Sequence, residues 1–189
     1  MANSVKIGLK DVYYALLTKD DATGVTYQTP VQIAGAISAK ISAKTDSVTL
    51  YADDGAFETA SSLGEITLEL EMADLPLTVQ AALLGHTVNN GVLEAKSTDQ
   101  APYVAVGFRA LKSNGKYRYY WLLKGKFEIP DDESQTKEDK VKFQTAKLKG
   151  TFVCRIYDGK WKLVGDEDEQ GFTATDWFTT TKINAGTGA

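Results

Sequence analysis

One histidine, one cysteine and a few carboxylate clusters are the residues whose types could do chemistry, and their spacing decides how far each goes. His86 is the sole histidine, which excludes a multi-histidine metal site. A Ser–His or Cys–His nucleophile pair would have to use it, and no motif of either kind surrounds it. It falls just past the end of a predicted helix, where a protonated imidazole complements the helix dipole. Cys154 is the sole cysteine, so neither an intramolecular disulfide nor a Cys-rich zinc site is available. Its place between Phe152 and Ile156 on an apolar row predicts a small buried hydrophobe rather than a reactive thiol.

Asp131-Asp132-Glu133 offers neighbouring carboxylates, but paired catalytic carboxylates come from separate elements facing a cleft. Asp166-Glu167-Asp168-Glu169 lacks the spaced ligands and the glycine of an EF-hand loop, and reads as a solvated acidic loop. Lys137, Lys140, Lys142, Lys147 and Lys149 form a basic stripe that acidic neighbours offset. Tyr117-Arg118-Tyr119-Tyr120-Trp121 has the aromatic-basic character that stacks on single-stranded bases, yet alternation sends half of those aromatics to a core. A Walker sequence and a dinucleotide fingerprint are both absent. The expectation is a chain with no catalytic residues, no cofactor and no metal.

The balance of the whole chain agrees. The 25 acidic and 21 basic side chains leave a formal net charge of −4, without the basic excess of a nucleic-acid binder. The chain has 189 residues, of which 43% are hydrophobic, enough to bury a core without disulfides or metals and too many for global disorder. Met1-Ala2-Asn3-Ser4-Val5-Lys6 holds no apolar run of signal-peptide length, and no stretch approaches the roughly 18 apolar residues of a membrane span. Synthesis and folding in a reducing cytosol, with no membrane partner, are expected.

The elements that would position these residues are strands. Ile37, Ala39, Ile41 and Ala43 alternate with Ser38, Lys40, Ser42 and Lys44, which gives an extended segment one apolar and one polar face. Ile66, Leu68, Leu70 and Met72 alternate with Thr67, Glu69 and Glu71 in the same way. Further rows are Val104, Val106 and Phe108; Tyr117, Tyr119, Trp121 and Leu123, continuing toward Gly125, Phe127 and Ile129; and Ala146, Leu148, Gly150, Phe152, Cys154 and Ile156. Shorter strands are predicted near 12–18, 48–51 and 160–164. Asn114-Gly115 predicts a tight hairpin with positive φ at both central residues, Asp158-Gly159 a second, and 20–24 a looser turn. Asp74 as N-cap, Pro76 in the first turn and Gly85 as terminator bracket one helix with Leu75, Val79, Ala82 and Leu83 on its apolar face. It is too short to stand without docking on a sheet. A second helical turn is predicted near 175–179. The segments 53–64 and 130–144, small and polar or highly charged, read as long loops, and the tail after Lys182 as frayed.

Several stretches taken together resemble the major tail tube proteins of long-tailed bacteriophages. They are Leu50-Tyr51-Ala52-Asp53-Asp54-Gly55 running on to Glu58 and the strand 64–72, the Leu83-Leu84-Gly85 helix end, and Glu133-Ser134-Gln135-Thr136-Lys137. Val141-Lys142-Phe143-Gln144-Thr145 and the strand 147–152 complete the series. The similarity runs from about Val12 to about Tyr157; its motifs are short, and their order and spacing carry it. The resemblance implies a mainly β chain, a β-sandwich or barrel of about eight strands with one short packed helix at about 75–84, forming a single tail-tube domain over 1–189. It also implies hexameric rings stacked into a tube around a tape-measure protein, closed by tail-end proteins, conducting DNA during ejection. The chain would then be made in the bacterial host cytoplasm and end in the virion tail.

Within that expectation, the strands 36–44 and 64–72 line or border the channel, with Lys40, Lys44, Glu65, Glu69 and Glu71 as candidate lumen residues. A conduit that avoids holding phosphates is expected to be net negative there. Tyr51, Asp53, Asp54, Phe57 and Glu58 in one loop, and Asp132, Glu133, Thr136 and Lys137 in the other, are candidate contacts between subunits. Two alternatives stay open. One is a carbohydrate-binding or host-recognition β-sandwich using exposed aromatics such as Tyr120, Trp161 and Trp177. The other is the tube protein of a secretion or contractile injection system.

Overall fold

Alternation of apolar and polar residues dominates the folded chain as it does the sequence. Strands hold 57% of the described residues and helices 8%, and the fold is mainly β with a curled half-barrel sheet. The structure is a computed structural model that describes residues 4–52, 54–131 and 145–185. Its strands are β1 (Lys6–Asp21), β2 (Gly24–Tyr27), β3 (Val31–Ile33), β4 (Ala36–Ala52), β5 (Gly55–Met72), β6 (Thr87–Asn89), β7 (Val92–Glu94), β8 (Val104–Lys112), β9 (Tyr117–Phe127), β10 (Ala146–Phe152) and β11 (Lys162–Asp166). The helices are α1 (Leu77–Leu84) and α2 (Thr180–Ala185). The described residues thus form eleven strands where about eight are expected.

Nine of them make one sheet in the order β2-β1-β8-β9-β10-β5-β4, with β3 added to β1 and β11 to β9, while β6 and β7 pair separately. Every pairing is antiparallel. The centre of the sheet is covered on both faces. On one face Tyr120, Leu122 and Phe127 of β9 pack with Phe108, Leu68 and Phe152. On the other, Tyr119, Trp121 and Leu123 pack with Ala105, Trp177 and Ile183. The single-faced reading of the aromatic row thus fails at β9: Tyr119, Tyr120 and Trp121 are all buried, because Tyr120 and Leu122, on the face that alternation assigned to solvent, pack into the core of the curled sheet, while Trp177 and Ile183 cover Tyr119 and Trp121. Gly107 makes room for this packing, since a Cβ there would lie 2.7 Å from the Trp121 ring.

Turn chemistry departs from expectation in an instructive way. The β8–β9 hairpin forms where Asn114-Gly115 predicts it, but only Gly115 takes positive φ (+81°), with Lys112 N–H donating to Lys116 O at 2.8 Å. The turn with two left-handed residues is instead Asn90-Gly91 (φ +50° and +80°), joining β6 to β7. Asp158-Gly159 makes a turn but not a hairpin, because β11 leaves it to pair with β9 rather than β10. Asp74 does not cap α1: its carboxylate accepts the Leu75 amide, and Pro76 occupies the N-cap position without a side-chain cap. Gly85 terminates the helix at φ +77° as expected. The helical turn predicted near 175–179 forms, with the Trp177 amide donating to Ala174 O and the Thr179 amide to Asp176 O, both at 3.1 Å, and α2 follows it; of the tail after Lys182, residues 183–185 belong to α2 and the rest lies outside the described residues. Ile183 has no solvent exposure and its carbonyl accepts Arg155 Nη1 at 2.7 Å.

Candidate functional site

The five candidate lumen residues lie together on one exposed face. The β4–β5 register sets Ser38 against Glu71, Lys40 against Glu69 and Ser42 against Thr67, while Ala39, Ile41 and Ala43 face inward with Leu70, Leu68 and Ile66. Cross-strand partners share a face, so the outward side chains bond in pairs. Lys40 Nζ is 3.3 Å from Glu69 Oε2, Lys44 Nζ is 2.6 Å from Glu65 Oε2, and Ser38 Oγ is 3.3 Å from Glu71 Oε2. The bond to Glu65 raises the Lys44 pKa, and the bond to Lys44 lowers that of Glu65. β10 continues the face, with Lys147 against Glu71 and Lys149 against Glu69, and Lys149 pairs with Glu128 at 3.4 Å. Among the described residues the charges on this face are mixed. Glu65, Glu69, Glu71 and Glu128 meet Lys40, Lys44, Lys147 and Lys149, because each acidic strand is flanked by a lysine-bearing neighbour.

Beyond this face the two strands run on paired only with each other among the described residues. β10 pairs with β5 only as far as Ile66, whereas β4 and β5 stay paired from Thr45↔Leu63 to Ala52↔Gly55. The segment read as a loop over 53–63 is therefore the returning strand of a projecting hairpin. Thr and Ser suit strands, and a ribbon that buries neither face needs no apolar alternation, which is why hydropathy hid it. Val48, Leu50, Tyr51 and Phe57 are 58–73% exposed along it, and Asp54 turns its tip at φ +62°. Glu58 sits opposite Leu50. Asp53 lies outside the described residues, as do Asp132, Glu133, Thr136 and Lys137 with the rest of 132–144.

Other residues singled out in the sequence take unexpected places. Cys154 is exposed: pairing ends at Phe152, so the apolar row stops there and Ile156 is exposed too. Arg155, between them, is buried, and its guanidinium forks onto Asp158 and the Ile183 carbonyl. The acidic run is not a solvated loop. Asp166 and Asp168 both bond the buried ammonium of Lys112, Asp166 also takes Arg118 at 2.6 Å, and Glu167 accepts the Tyr119 hydroxyl at 2.8 Å. His86 Nδ1 lies 2.8 Å from Asp99 Oδ2, a pairing the sequence reading did not foresee. Tyr120 and Trp177 are buried, at 8% and 1% exposure, and are lost as glycan-stacking surfaces.

Among the described residues, no group of three or more His, Cys, Asp or Glu side chains is placed to hold a metal ion. No described helix is long and apolar enough to cross a membrane. No protein-family model and no curated protein matches the chain.

Proposed function

We propose that the chain is a structural subunit of a bacteriophage tail tube, assembling into stacked hexameric rings that form the conduit for DNA ejection. One observation carries the reading: the 17-residue strand β4 is hydrogen-bonded on one side only among the described residues. A long open edge is a template for pairing with another chain, and here it continues into a hairpin with exposed apolar side chains. The order of the tail-tube-like motifs along the chain gives the assembly its identity.

In this reading the face bearing Lys40, Lys44, Glu65, Glu69 and Glu71 borders the lumen. Its carboxylates and lysines pair with one another, which leaves little unopposed charge of either sign for passing phosphates. The hairpin residues Tyr51, Asp54, Phe57 and Glu58 make contacts between subunits. A tape-measure protein and tail-end proteins are the further partners, and the site of action is the virion tail. The tube of a secretion or contractile injection system would rest on the same edge. The glycan-binding alternative loses two of its three aromatics to the core.

Negative-stain microscopy of concentrated purified protein tests the proposal. Rings or tubes are expected; a monomer that persists at high concentration would end it.

A further inference from the structure

A cleft of about 700 Å3 opens where the curled sheet brings β4 opposite β8, β9 and β11. Its walls are apolar, built from Ala39, Ile41, Phe108, Tyr120 and Trp161, and its charged lining residues are Lys6, Arg118 and Lys162, with no carboxylate among them. Arg118 is held by Asp166. Lys6 and Lys162 make no ion pair among the described residues; each lies over an aromatic ring, Tyr120 at 5.7 Å and Trp161 at 4.5 Å. The cleft therefore offers apolar surface and two cations to a ligand that is apolar and acidic.

The hairpin has that character. Residues 45–63 include Asp46, Asp53, Asp54 and Glu58 and no lysine or arginine, beside the exposed Val48, Leu50, Tyr51 and Phe57. It cannot fill the cleft of its own chain. Ala39 and Ile41 of β4 form the cleft wall, and the hairpin is the onward run of that same strand, carrying its tip about 36 Å beyond Ile41 at roughly 3.3 Å per residue.

We propose that this cleft is the seat for the β4–β5 hairpin of a second copy. The inference rests on the self-assembly reading and names the surface through which it proceeds. Hairpin and cleft are different surfaces, so the contact is heterologous: it closes a ring or propagates a stack, and charge complementarity fixes the partner.

Two double variants test it. Asp46→Lys with Glu58→Lys reverses the hairpin, and Lys6→Glu with Lys162→Glu reverses the cleft; circular dichroism checks folding, and sedimentation velocity reads assembly. Each alone is expected to raise the concentration needed for assembly about tenfold or more. Mixed together, they should co-assemble as alternating copies, since each hairpin then meets a cleft of opposite charge, and the fourfold variant should recover assembly for the same reason. Single-surface variants that assemble like the parent would overturn the docking while leaving the tube reading intact. Loss of assembly with no recovery on mixing and none in the fourfold variant would overturn it too. A parent chain that never assembles overturns both.

Discussion

Asp20 Oδ2 lies 2.6 Å from Lys124 Nζ, with side chains 4% and 9% exposed. Asp20 comes from the end of β1 and Lys124 from β9, and the same carboxylate accepts the amides of Ile156 at 2.9 Å and Tyr157 at 3.1 Å. One side chain thus ties the first hairpin to the central strand and to the loop after β10. Burial alone would raise its pKa, but the Ile156 amide, Lys124 and the Tyr157 amide outweigh it and hold the carboxyl below its ordinary range. Removing one member of a buried pair strands the other. Asp20→Asn is expected to cost about 3 kcal/mol in urea unfolding, whereas Lys40→Ala, at an exposed pair, should stay within about 0.5 kcal/mol of the parent. Equal effects would contradict this ranking.

Acid should find the same weakness in several places. Asp158 and Asp166 are raised by burial but lowered further, by Arg155 in one case and by Lys112, the Asp168 amide and Arg118 in the other; Asp168 is lowered by Lys112, Lys116 and Asn114. A carboxyl whose folded pKa lies below its unfolded value stabilises fully above the unfolded value, and that contribution is lost as pH falls through the folded one. Thermal scans should therefore show a flat Tm above about pH 5 and a steep fall below about pH 4. Asp166→Asn should start lower and fall less steeply. A parent Tm that holds to about pH 2 would show that these pairs carry no linkage.

Tyr27 sets the alkaline limit. It is buried, its hydroxyl donates to the Leu123 carbonyl at 2.8 Å, and burial pushes its pKa up to about 12 against a smaller opposing effect of Arg155. Here the folded pKa lies above the unfolded one. The stabilisation is complete below the unfolded value near 10 and is lost as pH rises toward the folded value. Tyr27→Phe should cost about 1 kcal/mol at neutral pH for the hydrogen bond, and should flatten the decline of Tm between about pH 10 and 12. A variant whose alkaline decline matches the parent's would assign that decline to other groups.

What the sequence discloses is periodicity; what it conceals is where periodicity stops and which distant residue answers a charge. Ile66, Leu68, Leu70 and Met72 are each 2% exposed or less, and Lys40 and Lys44 point outward, as alternation requires. The same rule fails at Cys154 because nothing local marks Phe152 as the last paired residue of β10. It fails at the acidic run because Lys112 and Arg118 lie some 50 residues away along the chain. The one available signal was Lys112, Lys116 and Arg118 crowding a single hairpin. The returning strand of the projecting hairpin, unlike the outgoing 48–51, reads as a loop for a different reason. Its register is set by backbone bonds and pairs such as Thr49 with Thr59, 3.3 Å apart at the hydroxyls, and neither leaves a hydropathic trace.

The hairpin itself is the last test. A two-stranded ribbon with no third strand and no covering face is marginal on its own, so the amides of 46–50 and 58–62 should exchange quickly in the free subunit, while those of 66–72, between β4 and β10, stay protected. Tyr51→Ser with Phe57→Ser removes side chains 72% and 73% exposed. Folding stability should change by less than about 0.5 kcal/mol, yet assembly should weaken, because the apolar area those rings would bury in a neighbour is gone. Hydrogen exchange then separates the cases. In assembled parent protein the hairpin amides should slow by an order of magnitude or more as a partner covers them. Equal exchange in subunit and assembly would mean that the hairpin touches no neighbour, and that the open edge of β4 assembles without it.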